Sequence, residues 1–188
     1  MDNAGIYIIS GVPGSGKSTV ATSLMRRFHK GLHIPVDAVR EWVVSGIAQP
    51  VPMLTSETSR QFALARQATA QAAHIYAEAG FAVAVDDVVF PDEAEELFIK
   101  ALLPWQVRKI LLLPSLEVAQ ARNARRTNKS FDTAQLTRVI RKLDLDMRAA
   151  PYKQSGWAVV DNTELTLQQT VEQILKLDRP GNHVAPNA

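Results

Sequence analysis

Residues 11–18 read Gly-Val-Pro-Gly-Ser-Gly-Lys-Ser, with the apolar run Ile6-Tyr7-Ile8-Ile9 before them and a helix-compatible stretch, Thr19 to His29, after them. A strand, a glycine-rich turn and a helix in that order make a loop whose backbone N–H groups wrap anionic oxygens, in conformations and at distances that a Cβ would obstruct. Lys17 is placed to reach the outer phosphates of a nucleoside triphosphate and Ser18 to ligate Mg²⁺. The helix starting near Gly16 aims its positive end at the same phosphates. Gly11, Gly14, Ser15, Gly16, Lys17, Ser18 and Thr19 are therefore the expected nucleotide-binding residues.

The rest of the chain alternates strand and helix patterns, which predicts an α/β fold: a parallel sheet with helices on both faces. Strands are expected at Gly5 to Ser10, Leu32 to Val36, Phe81 to Val85, Val107 to Leu113 and Trp157 to Val160, each nearly continuously apolar as strands buried on both faces are. An alanine-rich helix is expected from about Ser56 to Ala79, burying Phe62, Ala65, Ala68, Ala72, Ile75 and Ala79, with Gly80 as its stop. Asp132 with Gln135, and Thr166 with Gln169, read as caps opening two further helices, and Pro151 closes the first of them. Ser45 to Thr55, with Gly46, Pro50 and Pro52, reads as a loop.

A chain of 188 residues suits one domain with a full core, here residues 1–178, and the Pro- and Asn-containing residues 179–188 read as a disordered tail. There are no cysteines, which excludes disulfides, thiolate metal sites and a cysteine nucleophile. The segment Met1 to Gly5 lacks the basic region of a signal peptide. No stretch approaches the roughly 20 apolar residues of a spanning helix, so a cytoplasmic protein without membrane contact is expected.

The net charge of +2 hides a segregation of sign. From Glu78 to Glu96 there are seven acids and no Lys or Arg, whereas from Arg108 to Lys153 there are eleven bases against four acids. A basic stretch can hold nucleic acid. Beside a bound nucleotide it is more economically a lid facing phosphates.

Ligands of open parallel sheets sit beyond the carboxyl ends of the strands, so acids that end strands carry the most information. Asp37 follows the second strand, and with Arg40 it forms an Asp-x-x-Arg element whose side chains a helix from Asp37 would present on one face. The carboxylate there could take the proton of an attacking hydroxyl while Arg40 holds a polar part of the acceptor; a helix cap with a salt bridge is the plainer alternative. Asp86 and Asp87 follow the third strand, a setting for an acid that serves Mg²⁺ directly or through water. Asp86 is favoured for that role, and adjacency leaves Asp87 open. Arg122, Arg125, Arg126 and Lys129 cluster after the fourth strand, where guanidiniums could close over phosphates during transfer. Asp161-Asn162-Thr163 follows the last strand and could touch the nucleobase. His29, His33, His74 and His183 show no metal-ligand spacing, and Trp42 lies near enough to Asp37 to line an acceptor pocket.

With the Gly11-to-Thr19 loop, Val36-Asp37-Ala38-Val39-Arg40, Val85-Asp86-Asp87-Val88 and Arg122-Asn123-Ala124-Arg125-Arg126 in hand, the chain resembles the small P-loop kinases. The likeness is to the group that includes chloramphenicol phosphotransferase, zeta-type toxins and the kinase domain of polynucleotide kinase, over about residues 5 to 177. The resemblance implies a three-layer P-loop NTPase fold with strand order 2-3-1-4-5 and a lid at about 122–150. It also implies Asp37 as the base facing the acceptor hydroxyl, Arg122 against the adenine and Arg126 as the lid arginine. Lys129 stands where that pattern often has a further arginine, which leaves Arg125, Arg126 and Lys129 as candidates for the lid cation. Pro13 and the absence of an Asn-Lys-x-Asp motif favour ATP over GTP. The expected activity is Mg²⁺-dependent transfer of the ATP γ-phosphoryl group to a hydroxyl of a small molecule. A nucleic-acid 5′-hydroxyl kinase and a non-catalytic nucleotide-binding switch are the alternatives.

Overall fold

A computed structural model describes residues 5–50, 53–125 and 136–177. Arg126, Lys129 and the expected cap pair Asp132 and Gln135 lie outside the described residues, as does the expected tail.

The five strands β1 (Ile6–Ser10), β2 (Gly31–Pro35), β3 (Ala82–Asp86), β4 (Val107–Leu112) and β5 (Ala158–Val160) form one parallel sheet in the order β2-β3-β1-β4-β5. The first strand is thus central. Every residue of β1 and β3 is buried, as their unbroken apolar runs require. Side chains alternate across the sheet. Ile6, Ile8, Val83, Val85 and Leu111 join one core layer, whereas Tyr7, Ile9, Ala82, Ala84, Ile110 and Leu112 join the other.

Helices cover both layers. The helix α1 (Lys17–Met25) and the final helix (Leu167–Leu177) bury Val20, Ala21, Leu24, Val171 and Ile174 on the second layer. The first layer receives a short helix α2 (Val36–Arg40) and the long α3 (Ser56–Glu78). It also receives α4 (Pro91–Ala94), which runs on through a π-helical and a 3₁₀ turn to Leu102. Beyond β4 come α5 (Leu116–Ala124) and α6 (Leu136–Ala149), which buries Leu136, Ile140 and Met147 in that same layer. The final helix is α7. Its expected cap is present: the Thr166 amide donates to Gln169 Oε1 and the Gln169 amide to Thr166 Oγ1.

The buried face of α3 differs from the expected one. Of the six residues expected to be buried only Ala65 is; Phe62 and Ala72 are half-buried, and Ala68, Ile75 and Ala79 are exposed. The helix instead buries Thr58, Gln61, Ala65, Arg66, Thr69, Ala70, Ala73 and Ala77. With alanines spread around the helix, apolar pattern fixes its rotation weakly, and specific partners decide it. Gln61 bonds Ala48 N and Gly46 O, and Arg66 reaches Asp87.

At the other end of α3, Gly80 has φ +81°, a left-handed conformation, with no atom within 4 Å of the position a Cβ would take. Space is free and only the backbone objects. Gly80→Ala is expected to cost about 1–2 kcal/mol, read as a lowered urea midpoint with an unchanged slope.

Candidate active site

The turn from β1 into α1 is built by close approach. A Cβ on Gly14 would lie 2.1 Å from the carbonyl oxygen of Ala119, and one on Gly11 would lie 2.4 Å from that of Leu112, so β4 and α5 press the loop from outside. Gly16 caps α1 without any side-chain acceptor, and no acid occupies the first turn. The N-terminal end of α1, where anions are favoured, thus carries neither a side-chain cap nor an acid of its own. Ser15 Oγ is buried there without a hydrogen-bond partner. Lys17 folds over the loop and donates to the carbonyls of Gly11, at 2.7 Å, and Val12, at 3.2 Å. A cradle of this kind, with a cation beside it, fits a polyphosphate.

The neighbouring acids Asp86 and Asp87 are both buried, and strand alternation sends them to opposite faces. Asp86 turns toward α1, where Ser18 Oγ donates to its Oδ1 at 3.3 Å. Asp87 turns toward α3. Arg66 Nε donates to its Oδ2 at 2.6 Å, and Asp87 Oδ1 accepts from the Val88 amide. Arg66 also bonds Val88 O and Glu93. Burial pushes the Asp87 carboxyl up, with Arg66 opposing it and the charge of Asp37 adding to the rise. Asp87 is thus committed to an internal ion pair, and Asp86 is the acid that meets the loop serine. Mg²⁺ usually takes one or two protein oxygens and leaves its other positions to phosphates and water. Ser18 and Asp86 fit that demand, and no group of three or more metal-ligating side chains exists among the described residues.

His33 belongs to the same place. Its Nε2 bonds Asp86 Oδ2 and its Nδ1 lies 3.0 Å from Thr22 Oγ1. Metal-ligand spacing along the sequence does not find it. The signal lies in the register, which sets His33 beside Ala84, two residues before Asp86 on the same face.

Asp37 and Arg40 do not share an environment. Asp37 is exposed in the first turn of α2, directly beyond β2. Arg40 is buried: Nη1 donates to Ala48 O at 2.8 Å, the guanidinium lies 4.8 Å from the centre of the Phe62 ring, and Nε has no partner. The same ring has Arg66 at 5.7 Å. Arg40 thereby fastens the loop after α2 to α3, and it borders a cleft of about 240 Å³ lined by Val39, Trp42, Val43, Gln61 and Leu64 among others.

On the opposite flank, Arg122 Nη2 donates to Asn162 O at 3.2 Å, and Asn162 Nδ2 donates to Ser15 O at 3.0 Å. Asn162 is buried, and its Oδ1 has no partner. Arg125 ends α5, exposed. Several bases of the basic stretch are occupied within the chain. Lys109 bonds Ser155 O, Lys142 pairs with Asp146, and Arg148 bonds Asp144 and Pro114 O.

A family model described as an AAA domain matches residues 6–145. The chain belongs to this AAA domain family. Its fold is shared with several solved structures. The tunicamycin resistance protein of Deinococcus radiodurans superposes with TM-score 0.64 at 18% identity, over 92% of this chain and 94% of that one. A gluconokinase from Sinorhizobium meliloti gives 0.62 at 19% identity, over 94% and 92%. A shikimate kinase from Bacteroides thetaiotaomicron gives 0.61 at 15%, over 92% and 97%. No match was found among curated proteins. No helix among the described residues of this AAA domain protein is long and apolar enough to cross a membrane.

Proposed function

We propose that the chain is an ATP-dependent phosphotransferase that moves the γ-phosphoryl group to a hydroxyl of a small-molecule acceptor. The observation that carries this reading is the juxtaposition of an uncapped α1 terminus, Lys17 and the Ser18–Asp86 contact with an exposed carboxylate, Asp37, beyond the neighbouring strand end. A switch needs the first three; the solvent-facing acid on the acceptor side is what a transferase adds.

Residues Gly11 to Thr19 hold the phosphate chain in this reading, and Lys17 leaves its carbonyl partners to meet the β- and γ-phosphates. Ser18 and Asp86 would hold Mg²⁺, which when bound supplies neutralising charge for the transferring group. Asp37 takes the proton of the acceptor hydroxyl. Arg40 acts from beneath, fixing the position of α2 and the wall of the acceptor cleft. Arg122 and Asn162 flank the nucleobase. Arg126 is the proposed lid cation, with Arg125 and Lys129 as alternatives.

Similar folds named as a sugar kinase, a gluconokinase and a shikimate kinase support an acceptor that is small and bears hydroxyls. The bonds of Lys109 and Arg148 to backbone carbonyls weigh against a nucleic-acid backbone as partner.

The test is a screen of ATP consumption against sugars, other alcohol-bearing metabolites, nucleosides, aminoglycoside and phenicol antibiotics, and short oligonucleotides. Acceptor-dependent ADP release with a phosphorylated small molecule is expected, nearly insensitive to salt. Turnover on oligonucleotides alone, falling steeply with salt, would replace this reading with the nucleic-acid kinase. ATP binding without turnover on any acceptor would replace it with the switch.

A further inference from the structure

Four side chains from α1, β2 and β3 form a closed run. Ser18 Oγ donates to Asp86 Oδ1, Asp86 Oδ2 meets His33 Nε2, and His33 Nδ1 meets Thr22 Oγ1. Ser18 and Thr22 lie one turn apart, so the run begins and ends on one face of α1. It crosses the two neighbouring parallel strands between those points.

The direction of each bond follows from the groups. An ionised carboxylate has no hydrogen to give, so Nε2–H donates to Asp86; in the neutral ring Nδ1 is then an acceptor and takes the Thr22 hydroxyl hydrogen. The His33 and Asp86 side chains are only 15% and 8% exposed, so water has little access to substitute for either bond. With one oxygen held by His33, the Asp86 carboxylate cannot turn about its last bond, and its other oxygen stays toward Ser18. A strut between β2 and α1 would need one contact from His33; this ring uses both nitrogens, and the second fixes the acid that meets the loop serine.

We infer that His33 is a positioning residue for the divalent cation: together with Thr22 it holds Asp86 in the orientation that a metal shared with Ser18 requires. The inference rests on the reading that Ser18 and Asp86 serve Mg²⁺, and it adds a residue that never touches the metal. Groups that orient the holders of a metal commonly change its affinity by about 10–100-fold when removed.

The test uses the full chain, Mn²⁺ as a paramagnetic stand-in and a non-hydrolysable ATP analogue. Two quantities are measured: the Mn²⁺ dissociation constant of the protein–analogue complex by electron paramagnetic resonance, and analogue affinity in EDTA. His33→Phe is expected to weaken Mn²⁺ by about 10-fold or more with analogue affinity in EDTA unchanged, and His33→Gln, whose amide N–H can reach Asp86, to recover much of it. Thr22→Val is expected to give a smaller loss. It carries the test if His33→Phe does not fold, a wild-type Mn²⁺ constant there overturning the inference. Wild-type Mn²⁺ affinity in a folded His33→Phe overturns it as well, as does an equal loss with and without metal. Asp86→Asn separates the two layers. If it weakens Mn²⁺ while His33→Phe does not, only the role of His33 fails; if neither does, the metal reading fails and the inference with it.

Discussion

Asp37→Asn is expected to lower acceptor-dependent turnover by about 10²–10⁴-fold, the usual contribution of a positioned base, while ATP affinity stays near wild type. Asparagine keeps the size of the side chain in the first turn of α2, and it cannot take a proton. The residue is exposed, and asparagine preserves its shape. It also removes a negative charge that adds to the upward push on the Asp87 carboxyl, so folding does not suffer. The loss corresponds to about 2.7–5.5 kcal/mol of transition-state stabilisation. It is measured with the acceptor found by the screen, as kcat and KM beside an ATP titration. Turnover within a few-fold of wild type would remove Asp37 from the mechanism.

Arg66→Met is expected to destabilise the fold by about 3–5 kcal/mol. Asp87 and Arg66 are almost wholly inside the protein, with side chains 3% and 10% exposed, and the methionine would leave a buried carboxylate facing an apolar group. Removing both charges is a different matter. Arg66→Met with Asp87→Leu is expected to recover much of the loss, because the cost of a lone buried charge then disappears. The sign with pH follows from the raised carboxyl. Burial puts the folded Asp87 above its unfolded value, so the unfolded chain ionises first as pH rises, and stability from this group is present at low pH and lost as pH climbs through the folded value. Without Arg66 to oppose burial the rise is larger. The deficit of the single variant is therefore expected to shrink in acid, where Asp87 is protonated, and to be full near neutrality. Urea unfolding at both pH values reads it. A single variant as stable as the double one at neutral pH would show that the lone buried carboxylate carries no cost, and one as stable as wild type that the pair contributes nothing.

The loop at residues 11–18 and the strand–helix alternation were legible because their causes are local: glycines where backbone comes close, and apolar runs between breakers. The split between Asp86 and Asp87 was half legible. Alternation already sends neighbours to opposite faces, but which face carries α1 depends on the sheet. His33 is one step further removed, visible only once β2 is known to pair with β3 in a given register. Arg40 and the alanine-rich α3 were the least legible. An arginine in a short helix reads as exposed until Ala48 O and the Phe62 ring are brought to it, and alanines give α3 no strong preference for the face that Gln61 and Arg66 select. Within the basic stretch, the carbonyl partners of Lys109 and Arg148 are set by tertiary contacts that composition does not reveal.

The hydrogen bond from Asn162 to Ser15 O spans 147 residues, and β1 lies between strands that follow it by roughly half the chain. Contacts across such separations must pay for closing long stretches of chain before they return anything. During synthesis, an emerging chain that has not yet delivered β5 holds every residue of the phosphate loop and lacks the brace that seats it. The phosphate loop is consequently made well before the residue that braces it, and that brace forms only once β5 and Asn162 have followed.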